Sequence, residues 1–166
     1  MLTTNSMVAT RPCNRDRRRT IIGVCIFIVY LMFLFYFLFF AEAMGRGPKG
    51  EYRYNLTLLK EIKRFWNHID IIGWKAFLLN VFGNVIAFVP FGFFFPMLMK
   101  KTKSILLTTL TGFCFSLLVE SLQLCLRLGI FDVDDMLLNT IGTFVGAVVY
   151  AIAHRVWNKY RSVENE

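Results

Sequence analysis

The run from Ile21 to Ala41 contains no charged side chain, and this decides the fold class. A helix needs about 20 apolar residues to cross a bilayer, so the segment is long enough to span. Three further runs suit spanning: Gly73 to Met99, Ser104 to Leu126, and about Val133 to Val156. With no water in hydrocarbon, backbone polar groups must be satisfied within each segment, which makes such runs helices. Of the 166 residues, 56% are hydrophobic and 18% charged, against about 25% charged in ordinary soluble domains. The sequence predicts an all-α, polytopic membrane bundle of four transmembrane helices plus an amphipathic interfacial helix. It excludes a soluble enzyme with its own core.

The formal net charge is +8, yet the basic residues cluster at the ends of apolar segments rather than along a polar face. That distribution argues against nucleic acid and for membrane orientation. Of the 19 Lys and Arg, eleven fall in the amino tail, the Lys100–Lys103 loop and the carboxyl tail. This bias predicts a multi-pass membrane protein with both termini cytoplasmic. Residues 1–20 are then a cytoplasmic basic tail, 21–41 the first span, 42–72 an extracellular loop, 73–156 a three-span core and 157–166 a second cytoplasmic tail. Ala41-Glu42-Ala43 resembles a cleavage site, but a signal-peptide apolar region runs only about 7–15 residues, so the first span is expected to stay attached as an anchor.

In the long loop, Gly45, Gly47, Pro48 and Gly50 mark a turn region. Beyond it Leu56, Leu59, Ile62, Trp66, Ile69 and Ile72 recur every three or four residues, with Lys60, Glu61, Lys63, Arg64 and Asn67 on other faces. This is the pattern of one amphipathic helix, either lying along the outer interface or folded back as a lid.

Polar groups inside spans are costly, so each is either paired or functional. Asn80 and Asn84 are four apart in the second span. Glu120, Gln123 and Arg127 share one face of the third. Asp135, Asn139, Gly142 and Gly146 line the fourth. At about 1.5 Å per residue, Glu120 and Asn139 lie roughly 9 Å below the outer ends of their helices and Asn84 roughly 15 Å down the second. The matched depths predict that the stripes face one another around a polar cavity opening outward, with Arg127 reaching Glu120 by snorkelling. The competing account is interhelical hydrogen bonding alone.

Asp132, Asp134 and Asp135 suit a helix start, Asp132 as cap and the others in the first turn. They lack the glycine and glutamate of a calcium-binding EF-hand loop, and no metal site or cofactor is expected, the alternative being a divalent ion held between the aspartates and a phosphate headgroup. The cysteines at 13, 25, 114 and 125 show no ligand or disulfide spacing. Pro90 should kink the second span and free a carbonyl near Ile86. Gly92 punctuates the same span, and Gly142-x-x-x-Gly146 permits close helix approach.

Three stretches together resemble the VanZ-like family of small bacterial membrane proteins. They are Asn84-Val-Ile-Ala-Phe88-Val-Pro90-Phe91-Gly92, Glu120-Ser-Leu-Gln123, and Phe131-Asp132-Val-Asp134-Asp135-Met-Leu-Leu-Asn139-Thr-Ile-Gly142. Tyr54-Asn55-Leu56 is similar to a further family motif, without the proline often found beyond it. Gly129 stands where many members carry Arg. The resemblance implies low-level resistance to teicoplanin, a lipoglycopeptide, without rebuilding of the peptidoglycan stem.

The expected function is binding of a membrane lipid, a lipid-linked cell-wall component or a lipoglycopeptide. The binding residues would be Asn80, Asn84, Glu120, Gln123, Arg127, Asp132, Asp134, Asp135 and Asn139, with Pro90, Gly92, Gly142 and Gly146 structural. Two alternatives stay open: an intramembrane enzyme acting on a lipid or glycan headgroup with Glu120 or Asp135 as base, and a scaffold or assembly subunit. No nucleophile paired with a base is visible, and no residue pattern specifies an oligomer.

Overall fold

The computed structural model of the chain describes residues 14–41, 52–99 and 104–163. The amino tail through Cys13, the Gly45–Gly50 turn region and the Lys100–Lys103 loop lie outside the described residues. Helix α1 (Asn14–Tyr36) ends in a π-helical turn, Phe37–Ala41. A short strand β1 (Tyr54–Asn55) leads into α2 (Lys60–Asn67) and α3 (Ile69–Ile72). Then come α4 (Trp74–Leu98), α5 (Ile105–Leu126), strand β2 (Phe131–Asp132) and α6 (Val133–Val163). Four helical stretches are long and apolar enough to cross a membrane: Thr20–Phe39, Trp74–Leu98, Ile105–Leu126 and Val133–Val163.

Burial is inverted relative to a water-soluble protein. On α5 the buried residues are Thr108, Gly112, Ser116, Val119, Glu120 and Gln123, while Leu106 is 78% exposed. On α6, Asp134, Asp135, Asn139 and Thr143 are buried, while Ile152 and Val156 face outward. Such a surface is stable only where the surroundings are apolar and the polar groups need one another. The chain is a membrane protein.

Helices α4 and α6 make the most extensive contact, α5 packs on α6, and α1 packs on α4. The α4–α6 seam depends on glycine. A Cβ at Gly142 would overlap the Val85 carbonyl, one at Gly146 the Val89 carbonyl, and one at Gly92 the Thr143 carbonyl. Because register rises together along both helices, they run parallel, backbone against backbone. Small residues allow this approach, and without a hydrophobic drive in lipid, packing of this kind holds helices together. Around Phe88, a ring cluster including Phe91 and Phe115 closes the seam on α5.

Helix α4 continues through both Pro90 and Pro96. A proline leaves a carbonyl one turn earlier without its usual donor. In this region the Tyr30 hydroxyl of α1 donates to the Ala87 carbonyl at 2.6 Å, one residue from the expected position, and fastens the first span to the core.

The loop between α1 and α4 departs from the expected single helix over Leu56–Ile72. Asn55 Oδ1 accepts the Thr57 amide and Leu59 adopts a left-handed backbone, φ 63°, so helix begins only at Lys60. It breaks at His68, whose amide donates to the Arg64 carbonyl, and again at Gly73, φ 85°. Hydrophobic spacing records which face a residue would occupy, and it is blind to these dihedral interruptions. Helix α6 outruns the expected end at Val156 by seven residues.

Candidate polar site

The site is assembled where the extramembrane loop meets the start of α6. Strand β1 pairs with β2 in parallel, Tyr54 opposite Phe131 and Asn55 opposite Asp132. The Phe131 amide donates to the Arg53 carbonyl at 3.1 Å. Asp132 Oδ1 accepts both Asn55 Nδ2, at 3.1 Å, and the Asp134 amide, at 2.9 Å. The second contact has the two-residue offset by which a helix-start carboxylate satisfies an orphan N–H. Glu120 Oε2, reaching from α5, accepts the Asp132 amide at 3.0 Å.

Asp134 is fully buried, and its carboxylate caps another helix. It accepts the Leu59 amide, the Glu61 amide at 2.8 Å and the Ile62 amide at 3.4 Å. These are unpaired N–H groups at the start of α2, where an anion is favoured by both hydrogen bonding and the helix dipole. Asp134 was expected to serve its own helix, and instead it ties α2 to α6 across more than seventy residues of chain.

Deeper in the bundle, Asn84 Nδ2 on α4 donates to Asp135 Oδ1 on α6 at 2.6 Å. Asn139 Nδ2 donates to Ser116 Oγ on α5 at 2.9 Å, and its backbone carbonyl accepts the Thr143 hydroxyl. Gln123 Nε2 donates to the Leu38 carbonyl at 2.9 Å, inside the π-helical turn that closes α1. The side-chain oxygens of Asn80 and Asn139 are buried with no hydrogen-bond partner among the described residues.

Arg127 ends α5 in a left-handed conformation, φ 55°. Its guanidinium lies 4.5 Å from the centre of the Tyr52 ring, with Nη2 3.3 Å from the Tyr52 hydroxyl. The helix stops at this residue, where Arg127 meets the loop at Tyr52. The structure thus places Asn84 with Asp135, Asn139 with Ser116, and Glu120 with Asp132 and Asp134, in separate hydrogen-bonded groups that together make a polar layer. Gln123 is directed at α1.

Electrostatically, burial pushes the Asp132 carboxyl above the ordinary carboxylate value, against the opposing pull of the Asp134 amide and Asn55. The nearby Asp134 and Glu61 charges push it further upward. Among the described residues, no group of three or more His, Cys, Asp or Glu is placed to hold a metal ion. Each of Glu120, Asp132 and Asp134 takes a backbone N–H from a different segment. The layer is therefore rich in acceptors, and it holds the loop, β2 and the spans to one another.

Asn55, Ser116 and Thr143 belong to this layer and were missed as site residues. Extending the stripes by one helical turn reaches two of them, since Ser116 precedes Glu120 by four and Thr143 follows Asn139 by four. Asn55 carries a signal only through its motif.

The chain matches the VanZ/LLP1 family over residues 27–154. It is 26% identical over 134 residues to Protein VanZ of Enterococcus faecium, covering 71% of this chain and 80% of that protein. No solved structure gives a significant match. The matched region contains the glycine-packed seam, the second and third spans whole, most of the first and fourth, and the polar layer, and on this evidence the chain belongs to the VanZ/LLP1 family.

Proposed function

We propose that the protein lowers susceptibility to teicoplanin-type lipoglycopeptides by receiving a membrane amphiphile, the drug itself or a lipid-linked cell-wall component, at the outer end of the bundle. In this reading both termini are cytoplasmic, and the polar layer lies in the outer half of the membrane. The observation that carries it is the Asn84–Asp135 hydrogen bond between α4 and α6, a polar pair within helices whose outer faces are apolar. Such a pair offers a donor and an acceptor to a headgroup while chains remain in lipid. A second reading, a scaffold role, is favoured by the Gln123 bond to the Leu38 carbonyl, which joins α5 to the end of α1.

The test is expression in a susceptible Gram-positive host. Tolerance to teicoplanin should rise while vancomycin, which lacks the acyl chain, is nearly unaffected. Asn84→Leu and Asp135→Asn should each remove the difference at unchanged protein abundance. Equal protection against both drugs would sink the amphiphile reading, and unaltered protection in both variants would favour the scaffold.

A further inference from the structure

Helix α2 carries its charge where local rules oppose it. Lys60 opens the helix and Lys63 follows three residues later, so both cations sit in the first turn, where the helix dipole disfavours them, and as neighbours on one face they repel. Both are exposed. Among the described residues neither has a carboxylate partner, whereas Arg64 pairs with Glu61 at 2.7 Å. The tendency of Lys and Arg to collect at one end of a membrane bundle does not account for them either. Connectivity puts the loop between α1 and α4 at the end opposite both tails and the Lys100–Lys103 loop, which together hold eleven of the 19 basic residues. On the other side of α2 lie Ile62, Phe65 and Trp66, yet no residue of the helix is buried within the protein. Trp66 stays 59% exposed and Trp74 57%, their rings nearly perpendicular with centroids 6.1 Å apart. Half-exposed indoles of this kind mark the level where hydrocarbon meets headgroups.

We propose that Lys60 and Lys63 bind the headgroup phosphate of an anionic phospholipid in the leaflet where α2 lies. With its apolar face in the acyl boundary and the indoles at the headgroup level, α2 holds its basic face among headgroups. A headgroup of net negative charge offsets both the unfavourable dipole and the repulsion between the lysines. A zwitterionic headgroup also carries a phosphate, but its own ammonium cancels the charge and leaves the lysines little net attraction. The inference stands apart from the amphiphile reading, since it concerns bilayer lipid beside α2 and not a ligand at Asn84 and Asp135.

The experiment uses the full chain with Trp157→Phe, so that tryptophan fluorescence arises from Trp66 and Trp74 alone. It is reconstituted in vesicles of phosphatidylcholine mixed with phosphatidylglycerol, with bromine on the acyl chains of one lipid at a time. Bromine quenches the indoles it touches, so exchanging the brominated lipid measures which lipid occupies the surface beside α2. Phosphatidylglycerol should be preferred about fivefold, the factor that corresponds to the roughly 1 kcal/mol gained by a basic residue near an anionic surface. Replacing both lysines, Lys60→Gln with Lys63→Gln, should bring the ratio close to one. Lys60→Arg with Lys63→Arg should keep the preference, which ties it to charge and not to an altered fold. Equal quenching by the two lipids with the lysines intact, or a preference that survives the glutamine pair, would overturn the proposal. So would loss of the preference on adding inorganic phosphate at constant ionic strength, because the lysines would then belong to a soluble anion.

Discussion

Replacing Asp134 by alanine should release α2 while leaving the spans packed. The carboxylate takes two strong amide hydrogen bonds, from Leu59 and Glu61, and a longer one from Ile62 at 3.4 Å. Hydrogen bonds to a charged group contribute about 1.5–3 kcal/mol each, while losing a helix cap costs about 0.5–2 kcal/mol because water partly replaces it. Asp134 is fully buried, but the freed amides lie at a helix start that water reaches once α2 lifts. We therefore take about 3 kcal/mol, which corresponds to roughly a hundredfold change in the opening equilibrium. Asn at this position keeps one acceptor oxygen and loses the charge, so Asp134→Asn should cost about 1 kcal/mol, roughly fivefold. No residue of α2 is buried, so its own packing supplies little resistance and the effect saturates when α2 is fully open. Hydrogen exchange in detergent micelles measures this directly. Peptides covering residues 59–67 should exchange at least about tenfold faster in Asp134→Ala, while those covering 138–147 in the glycine seam stay protected. Unchanged exchange at 59–67 would refute the assignment of Asp134 as the tie.

Three further outcomes are expected. Burial raises the Asp132 carboxyl above its ordinary value, so the folded protein keeps a proton that the unfolded chain releases. That stabilisation is complete below the unfolded value of about 3.9 and is lost as pH rises through the folded one. Asp132→Asn, neutral at every pH, should flatten this decline in detergent melting curves taken upward from about pH 4. Glu120→Gln keeps an oxygen to accept the Asp132 amide and removes only the charge, so it should fold to normal abundance, whereas Glu120→Ala leaves that buried amide unpaired and should lower abundance. Teicoplanin tolerance lost in Glu120→Gln at normal abundance would assign the charge to function, and tolerance retained would assign it to structure. With the four native cysteines replaced, a cysteine at Gly50 should react with an impermeant reagent on intact cells and one at Ser162 should not. The reverse pattern would invert the orientation.

Much of the bundle was legible because membrane spans are specified by composition over about 20 residues. The expected Gly73–Met99 became Trp74–Leu98, and Ser104–Leu126 became Ile105–Leu126 capped by Ser104. The stripes were legible because offsets of three and four place residues on one face: Asn84 of α4 meets Asp135 of α6, and Asn139 of α6 meets Ser116 one turn before Glu120 on α5. The end of α6 was not, because Arg155, Lys159 and Arg161 mark where the apolar run stops, and arginine and lysine are good helix formers that let the helix continue. Partners far apart in sequence were also hidden. Nothing local to Asp134 indicates that its acceptors serve α2, and nothing local to Gln123 points to the Leu38 carbonyl. Those contacts follow from the parallel approach of α4 and α6 and from the return of the loop, which only the assembled chain defines.

The division of labour within the polar layer bears on which residues report on a ligand. Glu120, Asp132 and Asp134 each hold a backbone amide of another segment. Exchanging any of these bonds for one to a ligand would unfasten β2, the start of α6 or α2. Asn84 and Asp135, in contrast, meet side chain to side chain, a contact that a headgroup can replace with donors and acceptors of its own. The acidic motif at Asp132–Asp134 is thus required for the loop to sit over the spans, and variants there will lose activity whatever the chemistry. Substitutions at Asn84 and at Asp135 opposite it, with the charge-only change Glu120→Gln, separate what the protein binds from how it is held together.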